Sequence, residues 1–178
     1  MVGYLLVLAA WSAPGGATDD PPAQPEPSTK AAFLYKFPAY VEWRQGTFAE
    51  PASTVVIGVL GAADVAEQLT AIAAARKAGE RPVEVRPLRP GDALEGVHVL
   101  FVGREQSGRM AELAPAAQRR GILLVTDYDG ALDDGSAINL VVIDNRVRFE
   151  VSLDATEKSG LKLSSRMLSV ALWVRPAG

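Results

Sequence analysis

The sequence predicts an α/β fold: a mixed β-sheet of about six strands flanked by helices, with a C-terminal β-hairpin and a short final helix. Three observations carry this prediction. Strand-like apolar runs alternate with helical periodicity between residues 54 and 127, and the segments INLVVI and RVRFEVSL alternate around a two-residue turn. The chain has 178 residues, 48% of them apolar, which suits one core of ordinary size.

The first seventeen residues, MVGYLLVLAAWSAPGGA, carry no charged side chain. The apolar run from Val2 to Trp11 is far shorter than the roughly 20 residues needed to span a bilayer, so residues 1–17 read as an export signal cut near Ala17. Residues 18–28, TDDPPAQPEPS, hold four prolines and three acids and read as a disordered spacer. The folded domain is then expected to cover residues 29–178.

KAAFLYKFPAYVEW, residues 30–43, concentrates five of the chain's twelve aromatic residues. Thr29 is the expected N-cap of a helix on which Phe33, Phe37, Tyr40 and Val41 share one face. Pro38 removes the hydrogen bond to the carbonyl of Leu34 at a cost of ~3 kcal/mol, which predicts a kink or break near Phe37. Phe33, Phe37 and Val41 are expected to cover one face of the sheet. Tyr35 and Trp43 fall off that stripe and are expected at a dimer or partner contact.

TVVIGVL (54–60) reads as a strand feeding the helix DVAEQLTAIAAARKAG, which Gly79 closes. PVEVRPL (82–88) alternates and contains two prolines, so it is expected at a sheet edge. VHVLFVG (97–103) is apolar on both faces and reads as a central strand; a helix from about Ser107 to Arg120 and the strand ILLVTD (122–127) follow. In the hairpin, Asp144 and Asn145 tolerate the positive φ angles of a two-residue turn. That turn places Val142 opposite Val147, Leu140 opposite Phe149 and Ile138 opposite Val151, an apolar face expected to be core. The other face pairs Val141 with Arg148 and Asn139 with Glu150. Further on, Asp154 and Glu157 are spaced as a capping box, Gly160 is a stop, and Ser164 is expected to cap the final helix SRMLSVALWV, too short to cross a bilayer.

Chemistry-bearing residues are sparse. The net charge of −3 and pI near 5.2 argue against nucleic-acid binding, which needs a cationic surface. There is no cysteine, so thiol nucleophiles, disulfides and thiolate metal sites are excluded. The single histidine, His98, is expected as a hydrogen-bonded core imidazole. Gly58 and Gly61 fall short of a phosphate-binding glycine motif and read as a tight turn. Asp127, Asp129, Asp133 and Asp134 lack the spacing of a calcium loop and read as a solvated loop. No catalytic residue, metal ligand or cofactor site is predicted, and the lysines and arginines look scattered over a solvated surface.

Three segments carry a family resemblance: KAAFLYKFPAYVEW, VVIGVLG with its following helix, and INLVVIDNRVRFEVSLDATEKSGLKLSSRML. Together they resemble the YfiR family of bacterial periplasmic proteins from about Thr29 to Trp173. The matching residues are Val41, Glu42 and Trp43, then Arg148, Phe149 and Glu150, then Gly160, Leu161, Ser164 and Ser165. The resemblance implies a periplasmic repressor that binds the outer part of a membrane-bound diguanylate cyclase, lowers cyclic di-GMP and has no enzymatic activity of its own. Disulfide-based redox control, found among members of that family, is ruled out by the absence of cysteine. Joined to the hairpin register, the resemblance nominates Glu150, Arg148 and Asn139 as partner-binding residues, and Tyr35 and Trp43, off the helical stripe, complete the set. A homodimer is a further expected partner, and a periplasmic small-ligand receptor is the alternative function.

Overall fold

The computed structural model describes residues 25–50, 52–75 and 81–178. The export signal, most of the spacer and the helix stop at Gly79 lie outside the described residues. Helix α1 spans Glu26–Lys36, and α2 spans Ala63–Ala74, α3 Met110–Arg120, α4 Leu153–Lys158 and α5 Ser165–Leu168. The strands are β1 (Val41–Glu42), β2 (Val55–Leu60), β3 (Val83–Leu88), β4 (Val99–Val102), β5 (Leu123–Thr126), β6 (Ile138–Ile143), β7 (Arg146–Ser152), β8 (Lys162–Leu163) and β9 (Trp173–Arg175).

Seven of these form one mixed sheet in the order β3-β2-β4-β5-β6-β7-β9, and β1 pairs with β8 beside it. The strands from β3 through β6 run parallel, β6 and β7 form the antiparallel hairpin, and β9 returns parallel to β7. The expected α/β class, edge position of residues 82–88, central strand 97–103 and hairpin all hold. The hairpin register is the expected one, with Asp144 and Asn145 at φ 48° and 59° in the turn.

Both faces of the parallel half are buried, as a parallel sheet requires. On one face Ile57, Val59, Val99, Phe101, Leu123 and Val125 meet Leu34 and Phe37 of the opening segment and Val65 and Leu69 of α2. On the other, Val56, Leu60, Leu100, Val102 and Leu124 meet Met110, Leu113 and Ala117 of α3. The aromatic opening segment is thereby explained: Phe33 and Phe37 stack 5.7 Å apart, and both rings meet Phe149 edge-on at 5.5 and 5.4 Å. Pro38 does end the α-helix, and the chain continues as a 3₁₀ turn over Phe37–Tyr40.

Several local expectations are corrected. α1 begins at Glu26, so Thr29 lies inside the helix; Pro27 occupies the first turn, where a missing N–H is not needed. α4 is capped by Ser152, whose Oγ accepts the Ala155 N–H, while Asp154 sits one residue inside and pairs with Lys158. Ser164 does cap α5, but that helix has only four residues, and residues 173–175 form β9 instead of a helical end. The short periodic run favoured a helix; pairing with the open side of β7 is what selects a strand. The hairpin core face also fades toward its tip, where Val142 is 43% exposed because the turn extends past α1.

His98, expected in the core, is half-buried at the entry to β4, where it is hydrogen-bonded and packed between rings. Its Nδ1 accepts the Val56 N–H at 3.0 Å, its ring stacks on Phe48 at 4.7 Å, and Trp43 meets it edge-on at 6.1 Å. Burial pushes its pKa below the ordinary histidine value; a hydrogen bond to the Thr47 backbone opposes this, and the charges of Arg81 and Arg86 reinforce it. The folded protein therefore favours the neutral ring. The resulting stability is fully present above the unfolded value near pH 6.5 and is lost as pH falls through the lower folded pKa. The expected result is a melting temperature that drops from pH 7.5 to pH 5, with a smaller drop in His98→Gln, measured by thermal denaturation.

Candidate functional site

The sheet is covered unevenly, and that unevenness defines the site. Neighbouring residues in register share a face, so Val102, Thr126, Asn139, Glu150 and Trp173 form one row across five strands. α3 covers this face over β2, β4 and β5. Beyond β5 the crossover to β6 is a loop, residues 127–137, with no helix of its own. Consequently Val141, Ile143, Arg146, Arg148, Glu150 and Trp173 stand on a face without a helical layer.

The loop reaches over only part of this surface. Asp133 pairs with Arg175 of β9 at 2.8 Å, and the Tyr128 hydroxyl donates to Asp134 at 2.9 Å. Burial first, then the bond to Asp134, raises the Tyr128 pKa far above the ordinary phenol value, so it stays a neutral donor. Between the loop and the hairpin runs an open groove of about 620 Å³ lined by Arg104, Tyr128, Asp129, Val141, Ile143 and Glu150 among others.

The nominated residues divide. Arg148 is exposed and Glu150 half-buried on the uncovered face, and both are free of ion pairs among the described residues, so the Arg148–Glu150 pair conceivable from their spacing is not formed. Asn139 is corrected: it shares their row but is 1% exposed, its Oδ1 accepting the Thr126 hydroxyl at 3.0 Å under the loop. Trp43 is half-buried, its Nε1 donating to the Pro38 carbonyl at 3.3 Å within the His98 cluster, away from the uncovered face. Tyr35 is half-buried beside Tyr40, Val55 and Val83, in a largely apolar hollow of about 370 Å³. That hollow touches β2 and β3, near the opposite side of the sheet from β7, so Tyr35 and Glu150 do not belong to one surface.

Sequence reasoning missed a charged cluster where the parallel strands end. Lys30, 4% exposed, contacts Asp127 Oδ2 and Glu26 Oε1 at 2.5 Å each. Asp127, 8% exposed, also accepts the Arg104 backbone N–H at 2.8 Å, with the Arg104 guanidinium 3.6 Å away. The Glu26–Lys30 spacing of four residues was visible as a helical pair; that Asp127 would meet it follows only from the topology. Asp127 is therefore not part of a solvated acidic loop. At the neighbouring turn, a Cβ added to Gly103 would lie 2.3 Å from the Gly61 carbonyl oxygen. These glycines serve close strand approach, and Gly61 takes the positive φ of a turn at 72°.

Residues 27–172 match the sequence model of the YfiR/HmsC-like family. Among solved structures, the crystal structure of a conserved domain protein from Vibrio cholerae is similar, with a TM-score of 0.60 and 10% identity over 84% of this chain. This chain spans 60% of the length of that protein, and at such identity the likeness is one of fold. No described helix is long and apolar enough to cross a membrane. The matched family is a regulatory one, known for periplasmic control of diguanylate cyclases. By a match running from the first turn of α1 to the threshold of β9, the chain belongs to the YfiR/HmsC-like family.

Proposed function

We propose that this chain acts by binding: exported to the periplasm, it docks on the outer part of a membrane-bound diguanylate cyclase and holds cyclic di-GMP production down. The family match across residues 27–172 carries this reading. The uncovered face of β6, β7 and β9 supports it, since unpaired charges there sit among apolar side chains, a mixture that is solvated alone and buried in a complex. Deleting the gene is expected to raise cellular cyclic di-GMP while the purified protein neither makes nor degrades it. An unchanged level in a strain expressing a membrane-bound diguanylate cyclase encoded beside this gene would overturn the repressor reading.

Glu150→Lys tests the face directly. Glu150 is half-buried, lines the groove and holds no ion pair, so reversing its charge leaves the fold's own contacts in place. The expected outcome is a melting temperature within a few degrees of wild type together with cyclic di-GMP approaching the deletion level. A folded variant that represses fully removes Glu150 from the interface. Export is tested by the mass of the periplasmic protein, expected to begin after Ala17.

A second reading, a receptor for a small ligand, is favoured by the hollow beside Tyr35 and Tyr40. A thermal-shift screen of amino acids and nucleotides, repeated on Val83→Trp to fill the hollow, separates it from the first.

A further inference from the structure

We infer that the uncovered face of β6, β7 and β9 takes a single amphipathic helix of the partner, with carboxylates set against Arg146 and Arg148 and a cationic residue toward Glu150. This rests on the repressor reading above and specifies its contact. The size of the gap is the first argument. Three strands at a spacing of about 4.8 Å separate β6 from β9 by roughly 10 Å, the width of one helix. A helix laid there continues the layer that α3 begins over β2, β4 and β5.

The second argument is the order of charges along β7. Leaving aside the buried Asn139, each register row joins one apolar and one ionic side chain: Ile143 with Arg146, Val141 with Arg148, and Trp173 with Glu150. Ile143 is 46% and Trp173 47% exposed, amounts of apolar surface that burial under a helix would remove. Arg146 and Arg148 are exposed without ion-pair partners among the described residues, and the sign then reverses at Glu150, where Asp129 joins it along the groove. A complementary helix is therefore acidic toward the hairpin tip and basic toward the groove, which fixes its direction as well as its position.

The test uses the full mature chain and the purified extracytoplasmic fragment of the cyclase whose output rises when this gene is deleted. Arg146→Glu combined with Arg148→Glu is expected to weaken binding at least tenfold, with unchanged circular dichroism, while Lys162→Glu on β8 binds as wild type. Replacing the partner helix's acidic residues by arginine is expected to restore binding to the doubly reversed variant and to weaken it to wild type. If the double reversal and Val141→Asp both bind as wild type, the inference falls and the repressor reading stands. If the wild-type chain binds no such fragment, both fall together. If light scattering shows a wild-type dimer that the double reversal converts to monomer without altering cyclase binding, a second copy occupies the face and the inference is overturned.

Discussion

Replacing Lys30 with methionine is expected to cost about 3 kcal/mol of folding stability, although the side chain keeps its length and its apolar stem. The loss comes from what is left behind. Asp127 is 8% exposed and would keep its Arg104 N–H bond while losing the ammonium at 2.5 Å. Removing one partner of a buried pair strands the other charge without its compensation, and this outweighs the modest net worth of the intact pair. The Arg104 guanidinium, 3.6 Å from Asp127, can move in and keeps the loss at the low end of the range for such breaks. Asp127→Ala should cost less, because Lys30 retains Glu26 at 2.5 Å, a carboxylate already 44% exposed at the helix start. The double variant Lys30→Met with Asp127→Leu should recover most of the difference, since an apolar pair of similar volume avoids desolvating two charges. Urea denaturation of the three variants at pH 7 checks the order. Equal stability of Lys30→Met and wild type would show that the pair contributes nothing to holding α1 on the sheet.

That cluster also marks where reading the sequence stopped. The hairpin register was legible because turn chemistry and a period of two agree: Asp144 and Asn145 accept positive φ, and a shift of one residue would have put Phe149 in water. The parallel strands were legible because they are apolar on both faces, a pattern that needs no knowledge of neighbours. Three features depended on neighbours and were not. β9 has three residues, too few to show a period, and is a strand because β7 offers it an unfilled edge. Asn139 looked like surface because it alternates with apolar residues, yet the loop carrying Ser136 folds over it. Trp43 lay off the helical stripe because the helix had already ended at Lys36, so the stripe no longer governed its direction. For the candidate face, sequence supplied Arg148 and Glu150 through the register, whereas Trp173, Ile143 and the missing helical layer emerged only once the strand order was known.

Phe149→Ala is expected to cost about 3–5 kcal/mol and to unfold the domain, so that the proposed repression is lost with the fold, whereas the adjacent Glu150→Lys loses it while folded. The two residues point to opposite sides of β7. Phe149 is 3% exposed and is the common neighbour of Phe33 and Phe37, with both ring centroids within 5.5 Å. Truncation removes the buried ring and leaves a cavity that these two side chains fill poorly. They are carried on α1 and on the 3₁₀ turn behind Pro38, and the turn is tied by the Trp43 Nε1 bond to the Pro38 carbonyl and the Ser164 N–H bond to the Tyr40 carbonyl. Phe149→Leu keeps most of the volume and should cost less, about 1–3 kcal/mol, because what it forfeits is chiefly the two edge-on ring contacts, worth about 0.5–1.5 kcal/mol each beyond area. The measurement is the midpoint of chemical denaturation, read beside cellular cyclic di-GMP. Phe149→Leu should remain folded and repress, whereas Phe149→Ala should do neither. A folded Phe149→Ala that still represses would place the aromatic trio outside the essential core and would assign the stability of α1 to its Lys30 anchor alone.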